Sequence, residues 1–576
     1  MAQPTAVTAR AYALPAGALR RLLSARNLIV LVVVVVTAYL ALVPLGFLLW
    51  KTFVRGGHFT LSAFRQAYGA VGLAEMAKNS LLFAAGATTF AIALGTLMAY
   101  LIVRTDVPFK TLMFVAALVP LIIPGILHTI AWIFLASPQI GVINRTLSPY
   151  VGGHTVNVFS MGGMIFVEGL HLAPLVFLLM VAAFRSMDPS LEESAIMSGA
   201  PLRTVVRRIT IPLVRPALYA AVLIMVVRTL EAFEVPALLG LPNGTWVFTS
   251  RIWQVLDNNT PPAYDQAGAY AMSLLVLTSL GVLWHSRIAK RGRAYQTVTG
   301  KGFRPRPVPL GIWRWPAMFL ILAYFVVAVI VPLLVVAYAS TQQFYSPPTR
   351  KTLSHMTLAN YGSVLHDDLA RTALKNSLIL GIGAATAVML FMAVASWLVV
   401  RTQLPGRWVL DNLAFVPLAI PGLVLGVAIL FVYLRTSLPI YGTLWILFIA
   451  YFTRYMPYGM RYASTSMYQL GRELEESATM SGAGWWQTFR RIVLPLLFPG
   501  LLAGWIYILV VSLRELGSSI LLYSPGKEVL SIVIWERYQN GELPQLAALG
   551  ILMVGGLVIL VTLAYKLGAK IGIREA

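Results

Sequence analysis

Ionisable side chains inside apolar segments are the most chemically specific residues of this sequence. Glu231 and Glu234 lie near the end of one apolar segment, and Arg514 and Glu515 lie near the end of another. A charge inside a bilayer is costly, so such residues usually pair with one another or face a water-filled pathway. Arg228 and Glu231 are close enough in the chain to pair on one face of a helix. Two carboxylates in one segment suit a cationic substrate or a hydrated ion.

Three further ionisable residues, Glu168, His171 and Arg454, fall in other apolar segments. We interpret His171 as structural. The sequence has no cysteine, which excludes disulfides and thiolate metal sites. It shows no nucleophile–base constellation and no cluster with metal-ligand spacing, so a membrane-embedded enzyme is disfavoured and no metal site is predicted.

The composition indicates a membrane protein. Of 576 residues, 58% are hydrophobic and only 11% are charged, and the mean hydropathy is +0.78. Soluble globular proteins carry about 25% charged residues. The net charge of +23 fits Lys and Arg gathered in cytoplasmic loops. Nucleic-acid binding is disfavoured because no basic, aromatic-interleaved soluble domain is visible.

About twelve segments are long enough to cross a bilayer, which takes about 20 residues. The tenth is interrupted by Arg454 and Pro457. The first exceeds the hydrophobic core of a signal peptide and lacks a clear cleavage site, so we expect it to remain as a membrane helix. The predicted spans are 28–50, 80–103, 111–136, 162–184, 216–238, 269–286, 315–340, 377–400, 409–434, 441–460, 499–523 and 545–566.

A polar loop pattern occurs twice, and its landmarks recur at one constant separation, which we call the loop offset. A duplicated pattern with fixed internal spacing indicates an internal repeat. The first copy comprises Glu193, Ser194, Ala195, Gly199, Ile209 and Pro212. The second comprises Glu476, Ser477, Ala478, Gly482, Ile492, Leu494 and Pro495.

The repeat extends beyond the loops at a longer separation. Lys78-Asn79-Ser80-Leu81, Val103-Arg104-Thr105 and Pro124-Gly125 all recur in the second half, the last as Pro421-Gly422. Pro174, by contrast, recurs as Pro457 and already obeys the loop offset. The first half therefore contains an insertion before Pro174. We place it in the polar stretch 137–157, outside the membrane.

Each loop copy predicts a short helix, a turn and a second short helix. Gly199 suits a turn with positive φ. The second helix is expected over about 202–209, where Pro212 stops it, with Pro216 near the start of the next span. The second copy repeats this with Gly482, Pro495 and Pro499.

Basic residues set the orientation and the domain boundaries. Arginines cluster in the first loop, and Lys and Arg cluster over about 287–306. The positive-inside rule places both segments, and both termini, in the cytoplasm. An all-α polytopic fold of two parallel six-helix repeats follows. The predicted divisions are a cytoplasmic arm over 1–27, a first repeat over 28–286, a basic linker over 287–314 and a second repeat over 315–576.

The two loops resemble the EAA loops of ABC importer permeases, the membrane subunits that couple to a separate ATPase. The resemblance implies a type I importer fold in the bacterial inner membrane. It also implies that each loop docks in a groove of one of two ATPase subunits. Ser194 and Ser477 replace the family's first alanine, and Ile211 replaces its leucine before proline, but the turn and the glutamate remain. The family's pathway is lined by the fifth and eleventh spans, which makes Glu231, Glu234, Arg514 and Glu515 its candidates here.

The energy source and the cargo receptor are expected on other subunits. The chain has no Gly-x-x-x-x-Gly-Lys-Ser/Thr phosphate loop, and Gly300-Lys301-Gly302 in the basic linker is an isolated lookalike. The resemblance therefore implies ATP and Mg on the partner ATPase, no cofactor in this chain, and a periplasmic binding protein that delivers cargo.

The stretches Leu230–Gly240 and Ser512–Gly517 are similar to fused permeases of the ferric-iron importer group. Iron is therefore the favoured substrate. Thiamine, aminoethylphosphonate, sugar phosphates and polyamines remain alternatives, because fused relatives carry such cargo. A secondary transporter or channel remains a different class; it would have ion-coupling charges and no paired docking loops.

Overall fold

The computed structural model describes residues 25–69, 72–147, 150, 156–188, 190–292, 307–434 and 436–570. The N-terminal arm up to residue 24, the linker over 293–306 and part of the 137–157 stretch lie outside the described residues. A two-stranded antiparallel hairpin, β1 (Val54–Arg55) with β2 (His58–Phe59), is the β-structure of the described chain. The all-α prediction is confirmed apart from this hairpin.

Helices of the first half occupy residues 25–292. They are α1 Ala25–Phe53, α2 Ser62–Tyr68, α3 Leu73–Arg104, α4 Lys110–Leu118, α5 Gly125–Ala136, α6 Val142–Leu147, α7 Met161–Ser186, α8 Ser190–Met197, α9 Leu202–Val205, α10 Ile211–Glu231, α11 Phe248–Asp257 and α12 Tyr264–Gly292.

Helices of the second half occupy residues 314–570. They are α13 Arg314–Phe325, α14 Val331–Ser340, α15 Arg350–Ser354, α16 Ala359–His366, α17 Asp368–Arg401, α18 Arg407–Phe415, α19 Gly422–Tyr433, α20 Leu444–Gln469, α21 Glu473–Met480, α22 Trp485–Thr488, α23 Leu494–Leu513, α24 Ser519–Leu522, α25 Leu530–Gln539 and α26 Leu543–Lys570.

The two halves pack in the same way and exchange their first membrane spans. The first span is α1 in the first half, and in the second half it is Gly311–Ser340, which contains α13 and α14. In the first half α3, α7 and α10 pack against one another, and in the second half α17, α20 and α23 do the same. The opening helix α1 packs on α19 of the second half, whereas α14 of the second half packs on α5 of the first. This reciprocal exchange makes one body of the two repeats.

Both predicted spans that contain a Pro-x-x-x-Pro-Gly sequence are broken. Residues 110–122 and 125–136 meet at 96°, and residues 407–419 and 422–433 meet at 107°. Proline removes a backbone donor and disfavours a helical conformation for the residue before it, so the helix ends before Pro124 and Pro421 and restarts at the glycine. Among the described residues eight helices are long and apolar enough to span a membrane, or ten if each bent pair is one span. The count of twelve stays a prediction.

The insertion in the first half lies where the repeat offsets placed it. The connection between α5 and α7 runs over 137–160. The equivalent connection between α19 and α20 runs only over 434–443. The longer connection exceeds the shorter one by the same amount as the two repeat offsets differ, and α6 occupies part of it.

Three local predictions are wrong. Pro212 and Pro495 do not stop a helix, because a wide π turn precedes each (Val206–Thr210 and Phe489–Val493) and leads without a break into α10 and α23. The Ile211 N–H bonds to the Val206 carbonyl, so the wide turn leads into the proline, which has no N–H to donate. Arg454 and Pro457 do not interrupt α20, which runs unbroken from Leu444 to Gln469.

The fifth and eleventh predicted spans extend too far. Helix α10 ends at Glu231 and α23 ends at Leu513. Arg514 and Glu515 therefore lie just beyond the end of α23, where the chain turns. Glu234 follows α10 after a two-residue break and lies at the start of a further helical stretch that continues as the π turn Pro236–Gly240.

Candidate functional site

The turn of each repeated loop has the predicted backbone. Gly199 has φ +78° and Gly482 has φ +83°. The Ala200 N–H donates to the Ala195 carbonyl at 3.0 Å, and Ala483 donates to Ala478 at the same distance. These bonds close helices α8 and α21 with the turn that favours glycine.

A buried ion pair that the sequence analysis missed anchors the first loop. The Arg104 guanidinium, at the end of α3, donates to the Glu192 carboxylate. Their side chains are only 3% and 4% exposed. The second oxygen of Glu192 accepts from Thr210 Oγ1 at 2.5 Å. The repeated Val-Arg-Thr sequence and the doubled glutamate, Glu192-Glu193, are the sequence signal for this pair.

The second loop has the equivalent anchor with different packing. Arg401 Nε lies 3.1 Å from Glu475 Oε1, and Trp397 Nε1 donates to Glu475 Oε2 at 3.1 Å. Trp397 also stacks on Trp485, with ring centroids 4.2 Å apart, and on Phe489. The second loop is therefore held by aromatic contacts as well as by charge.

The predicted loop residues, with one exception, are at least partly exposed. Glu476, Ser194, Ser477 and Pro495 are exposed; Glu193, Ala195, Ile209, Pro212, Ile492 and Leu494 are half-buried; and Ala478 is buried. Large apolar side chains stand beside them, with Met197 83% and Met480 90% exposed.

Near the start of the first loop, a hydrogen bond from the Ser190 backbone N–H lowers the pKa of the Asp188 carboxyl.

The end of the inter-repeat linker is bonded to the residues directly after α3, next to the arginine that holds the first loop. Val308 forms an isolated parallel bridge with Thr105, and the Asp106 carboxylate accepts from the Leu310 N–H at 2.8 Å. In the second half the Arg407 side chain donates to the Thr402 carbonyl instead, at 2.6 Å. The linker is thus part of the first loop's support.

The predicted pathway charges meet between the two halves. The Arg228–Glu231 pair is confirmed, with 3.9 Å between Nη1 and Oε2. Glu231 also lies 3.8 Å from Arg454 of the second half, and Arg454 Nε lies 3.2 Å from Glu515 Oε2. One guanidinium thus joins carboxylates from both repeats.

Glu515 is the most fully bonded of these carboxylates. Its two oxygens accept from Tyr455 at 3.1 Å and from the Ser518 backbone and hydroxyl at 3.0 Å. The neighbouring Arg514 donates to the backbone carbonyl of Leu121 in the first half. Glu234 forms no ion pair with any residue of the described chain.

Aromatic rings from equivalent positions meet across the two halves near these charges. Trp253 of α11 and Trp535 of α25 make an edge-on contact with ring centroids 5.1 Å apart. Phe233, which lies between Glu231 and Glu234 in the chain, contacts both rings and is 1% exposed. Phe233 thus packs on an aromatic ring from each half, next to Glu234 in the chain.

The repeated Asn-Ser sequence holds the two helices that carry these tryptophans. Asn79 donates to a carbonyl just before α11, and Ser80 accepts from the first N–H of α11 at 3.2 Å. Asn376 and Ser377 make the same two bonds, at 2.9 Å each, before α25. The repeat noted in the sequence is therefore a pair of helix caps.

We expect the two break glycines to tolerate alanine differently. A Cβ on Gly422 would overlap the Arg454 guanidinium, so Arg454 would have to leave its ion pairs. A Cβ on Gly125 would have His171 Nε2 as its nearest neighbour, at an ordinary 3.5 Å. Gly422→Ala should lower the free energy of unfolding by about 1–3 kcal/mol, against about 0.5 kcal/mol for Gly125→Ala. Thermal unfolding in detergent measures both, and equal melting shifts would contradict the geometry.

Comparison with known proteins places the repeat in a family. The model of the family described as binding-protein-dependent transport system inner membrane component matches residues 91–294 and again residues 392–571. Fe(3+)-transport system permease protein FbpB 2 of Haemophilus influenzae is 26% identical over 82% of this chain and 85% of its own. Ferric transport system permease protein FbpB of Actinobacillus pleuropneumoniae is 27% identical, and the match spans 72% of this chain but only 60% of that relative.

Two further similarities cover about half of the chain. The putative 2-aminoethylphosphonate transport system permease protein PhnV of Salmonella typhimurium is 29% identical over 43% of this chain and 92% of its own. A crystal structure of a bacterial ABC transporter involved in the import of the polysaccharide alginate covers 48% of this chain and 99% of its own, at 19% identity and a TM-score of 0.41. Because the family model matches both halves and more than half of all residues, this chain belongs to the family of binding-protein-dependent transport system inner membrane components, as a multi-pass permease with the family's domain duplicated in one polypeptide.

Proposed function

We propose that this chain supplies both membrane domains of an ATP-driven importer, and that it carries ferric iron from the periplasm to the cytoplasm. Its two repeated loops dock on two copies of a separate ATPase. A periplasmic binding protein delivers the cargo.

The observation that carries the coupling role is the duplicated anchor. Each loop turns at a glycine with positive φ and is tied by an Arg–Glu pair to the end of a long helix, Arg104 of α3 or Arg401 of α17. A loop held in this way moves with its helix bundle, so a partner that pulls on the loop moves the spans. Exposed Met197 and Met480 offer apolar surface for that partner.

The chain's own sequence supports a separate energy source. It contains no phosphate-binding loop of the Walker type, so ATP and Mg belong to the partner. A secondary transporter would have no use for two loops in register with matched anchors.

The support for iron is the similarity to two ferric permeases over most of this chain, together with the carboxylates between the halves. The weaker candidate is an aminoethylphosphonate, because PhnV of Salmonella is similar to one half. Thiamine, sugar phosphates and polyamines are outcomes that the same assay would reveal.

Transport by the reconstituted complex tests the proposal. Proteoliposomes holding this chain, its ATPase and its binding protein should accumulate radiolabelled ferric iron only with ATP and only with the binding protein. Accumulation without ATP would indicate a secondary transporter. Uptake of a phosphonate and not of iron would remove the substrate assignment and leave the coupling argument standing.

The proposed orientation, with both termini and both loops in the cytoplasm, predicts a labelling pattern. Single cysteines are easily introduced because the chain has none. In intact cells, impermeant thiol reagents should modify Gln139→Cys and Asn258→Cys, which lie in exposed connections at the proposed outer face. They should modify Ser198→Cys and Ser481→Cys only after the cells are opened. Labelling of Ser481→Cys from outside would overturn the parallel arrangement of the repeats.

A further inference from the structure

The two halves place different residues at one matched position beside the broken helices. His171 of α7 and Arg454 of α20 are related by the loop offset, as Pro174 and Pro457 are. Each faces the glycine that restarts the broken helix, Gly125 in the first half and Gly422 in the second. The first half thus keeps the glycine that makes room for a guanidinium, but it carries a histidine there.

In the second half the cation is part of the protein. The Arg454 guanidinium lies against Gly422 and pairs with Glu515 and, across the halves, with Glu231, which also pairs with Arg228. Tyr451, also on α20, bonds with Ser519 at 2.8 Å. The carboxylates on this side of the charged cluster between the halves therefore already have arginine partners and need no bound cation.

In the first half two carboxylates have no cation within ion-pair distance among the described residues. Glu168, which matches Tyr451 by the loop offset, is 6% exposed and lies close enough to Glu234 for their charges to interact. Neither carboxylate forms an ion pair within the described chain. Arg514, on the same side, donates to a backbone carbonyl. The charges of Arg514 and Arg454 therefore act on Glu234 only from beyond ion-pair distance.

Two histidines beside these carboxylates have unused polar atoms. His128 is 1% exposed and its Nε2 has no hydrogen-bond partner in the described chain; the same is true of Nδ1 of His171. The rings lie 5.6 Å apart. The position of a Cβ on Gly125 is 3.5 Å from His171 Nε2 and 3.8 Å from the Glu234 carboxyl carbon. One imidazole and one carboxylate, those of His171 and Glu234, therefore lie together beside one glycine.

We propose that Glu168, His171 and Glu234 form a contact site for a metal cation in transit, on the first half only. The passing cation takes the electrostatic place that Arg454 fills in the second half. Carboxylates attract it, and the neutral imidazole offers a nitrogen lone pair. This site rests on the proposed import of a metal ion, and it moves the substrate contact away from Glu231 and Glu515, which already pair with Arg228 and Arg454.

The spacing favours passage over capture. In the described chain no three His, Asp or Glu side chains converge at distances that would hold a metal ion. A hydrated ion can be attracted by such a cluster without losing its water shell. A complete coordination shell would retain a trivalent ion and slow its release.

Charge-selective labelling tests the site without any transport. Gly125→Cys should place a thiol beside His171 and Glu234 with ordinary contacts. In the assembled complex, a cationic methanethiosulfonate reagent should modify it at least about tenfold faster, relative to free cysteine, than an anionic reagent of similar size. Adding Glu168→Gln and Glu234→Gln should remove most of that preference. If the cationic reagent modifies this thiol no faster than the anionic one, relative to free cysteine, the proposed cation site is wrong, whatever the importer carries.

Placing an arginine at position 171, where the second half has Arg454, tests the function of the site. His171→Arg would place a built-in cation beside Gly125, as Arg454 does beside Gly422. Uptake of radiolabelled ferric iron should fall at least about tenfold, whereas the ATPase should still co-purify. His171→Gln, which adds no charge, should lose less, and His58→Arg on the exposed hairpin is the matched control for the substitution itself.

The results separate the site from the proposed function. If the unmodified complex carries no iron but the thiol preference is found, the cation site stands and the substrate assignment fails. If iron is carried and His171→Arg transports as well as the unmodified complex, the site is wrong and the importer assignment stands.

Discussion

Glu192→Ala is expected to uncouple the first loop from the membrane helices and to abolish transport. The change leaves the Arg104 guanidinium, 3% exposed, without its carboxylate, and it removes the acceptor of Thr210. Breaking a buried pair by removing one partner costs about 3–5 kcal/mol. The anchor tying this loop to α3 would be lost. The loop should therefore separate from α3 even though the spans remain inserted.

The second half provides the matched comparison. Glu475 is 19% exposed in its pair with Arg401, and Trp397 stacking on Trp485 and Phe489 holds that loop independently. Glu475→Ala should therefore retain more activity than Glu192→Ala. Co-purification of the ATPase and ATP-driven uptake measure both effects. Equal losses in the two variants would show that burial of the pair does not decide coupling.

A double substitution distinguishes the pair from its individual charges. Replacing a buried ion pair by apolar residues of similar volume is often neutral or stabilising. Arg104→Met with Glu192→Leu should therefore recover most of the thermal stability that either single change loses. If the double variant is as unstable as the sum of the single ones, the two side chains act independently and the anchor has been misassigned.

The sequence predicted features that depend on local spacing. The constant loop offset located both loops, and the positive φ of both turn glycines followed from their place after a short helix. The insertion of the first half fell in the connection after α5, as the change of offset required. Each of these depends on residues close together in the chain or on comparison of the two repeats.

What the sequence could not predict depends on contacts between distant segments. The Arg104–Glu192 pair joins the end of α3 to the first repeated loop, which lies far away in the chain, and the Arg454–Glu231 contact crosses the two halves. Apolarity alone also led to wrong helix ends. It continued through Ala232–Leu239 and Ile520–Leu522, although the backbone leaves the helix at Glu231 and at Leu513. Glu515 therefore lies in a turn after α23, and Glu234 lies just after a two-residue break in the helix.

The strongest test of the loop turns compares valine with asparagine as the replacement for each turn glycine. Nothing lies within 4 Å of a Cβ built on Gly199 or on Gly482, so neither turn is limited by space. Their φ values of +78° and +83° are the only obstacle to a side chain. An L-residue pays about 1–2 kcal/mol for the left-handed conformation, and asparagine pays less than a β-branched residue because it reaches that conformation readily. We therefore expect Gly199→Val and Gly482→Val to distort the loops and Gly199→Asn and Gly482→Asn to be tolerated.

The double valine variant should lose ATPase docking and ATP-driven uptake while it still inserts into the membrane. The double asparagine variant should keep both activities, since it keeps the turn. This contrast isolates backbone conformation from bulk, because the Cβ positions are equally open at the two sites. If the asparagine variant fails as completely as the valine variant, then the loops need a bare glycine surface, and the partner's backbone must approach Gly199 and Gly482 directly. Normal uptake by the valine variant would instead show that the turns are not needed for coupling.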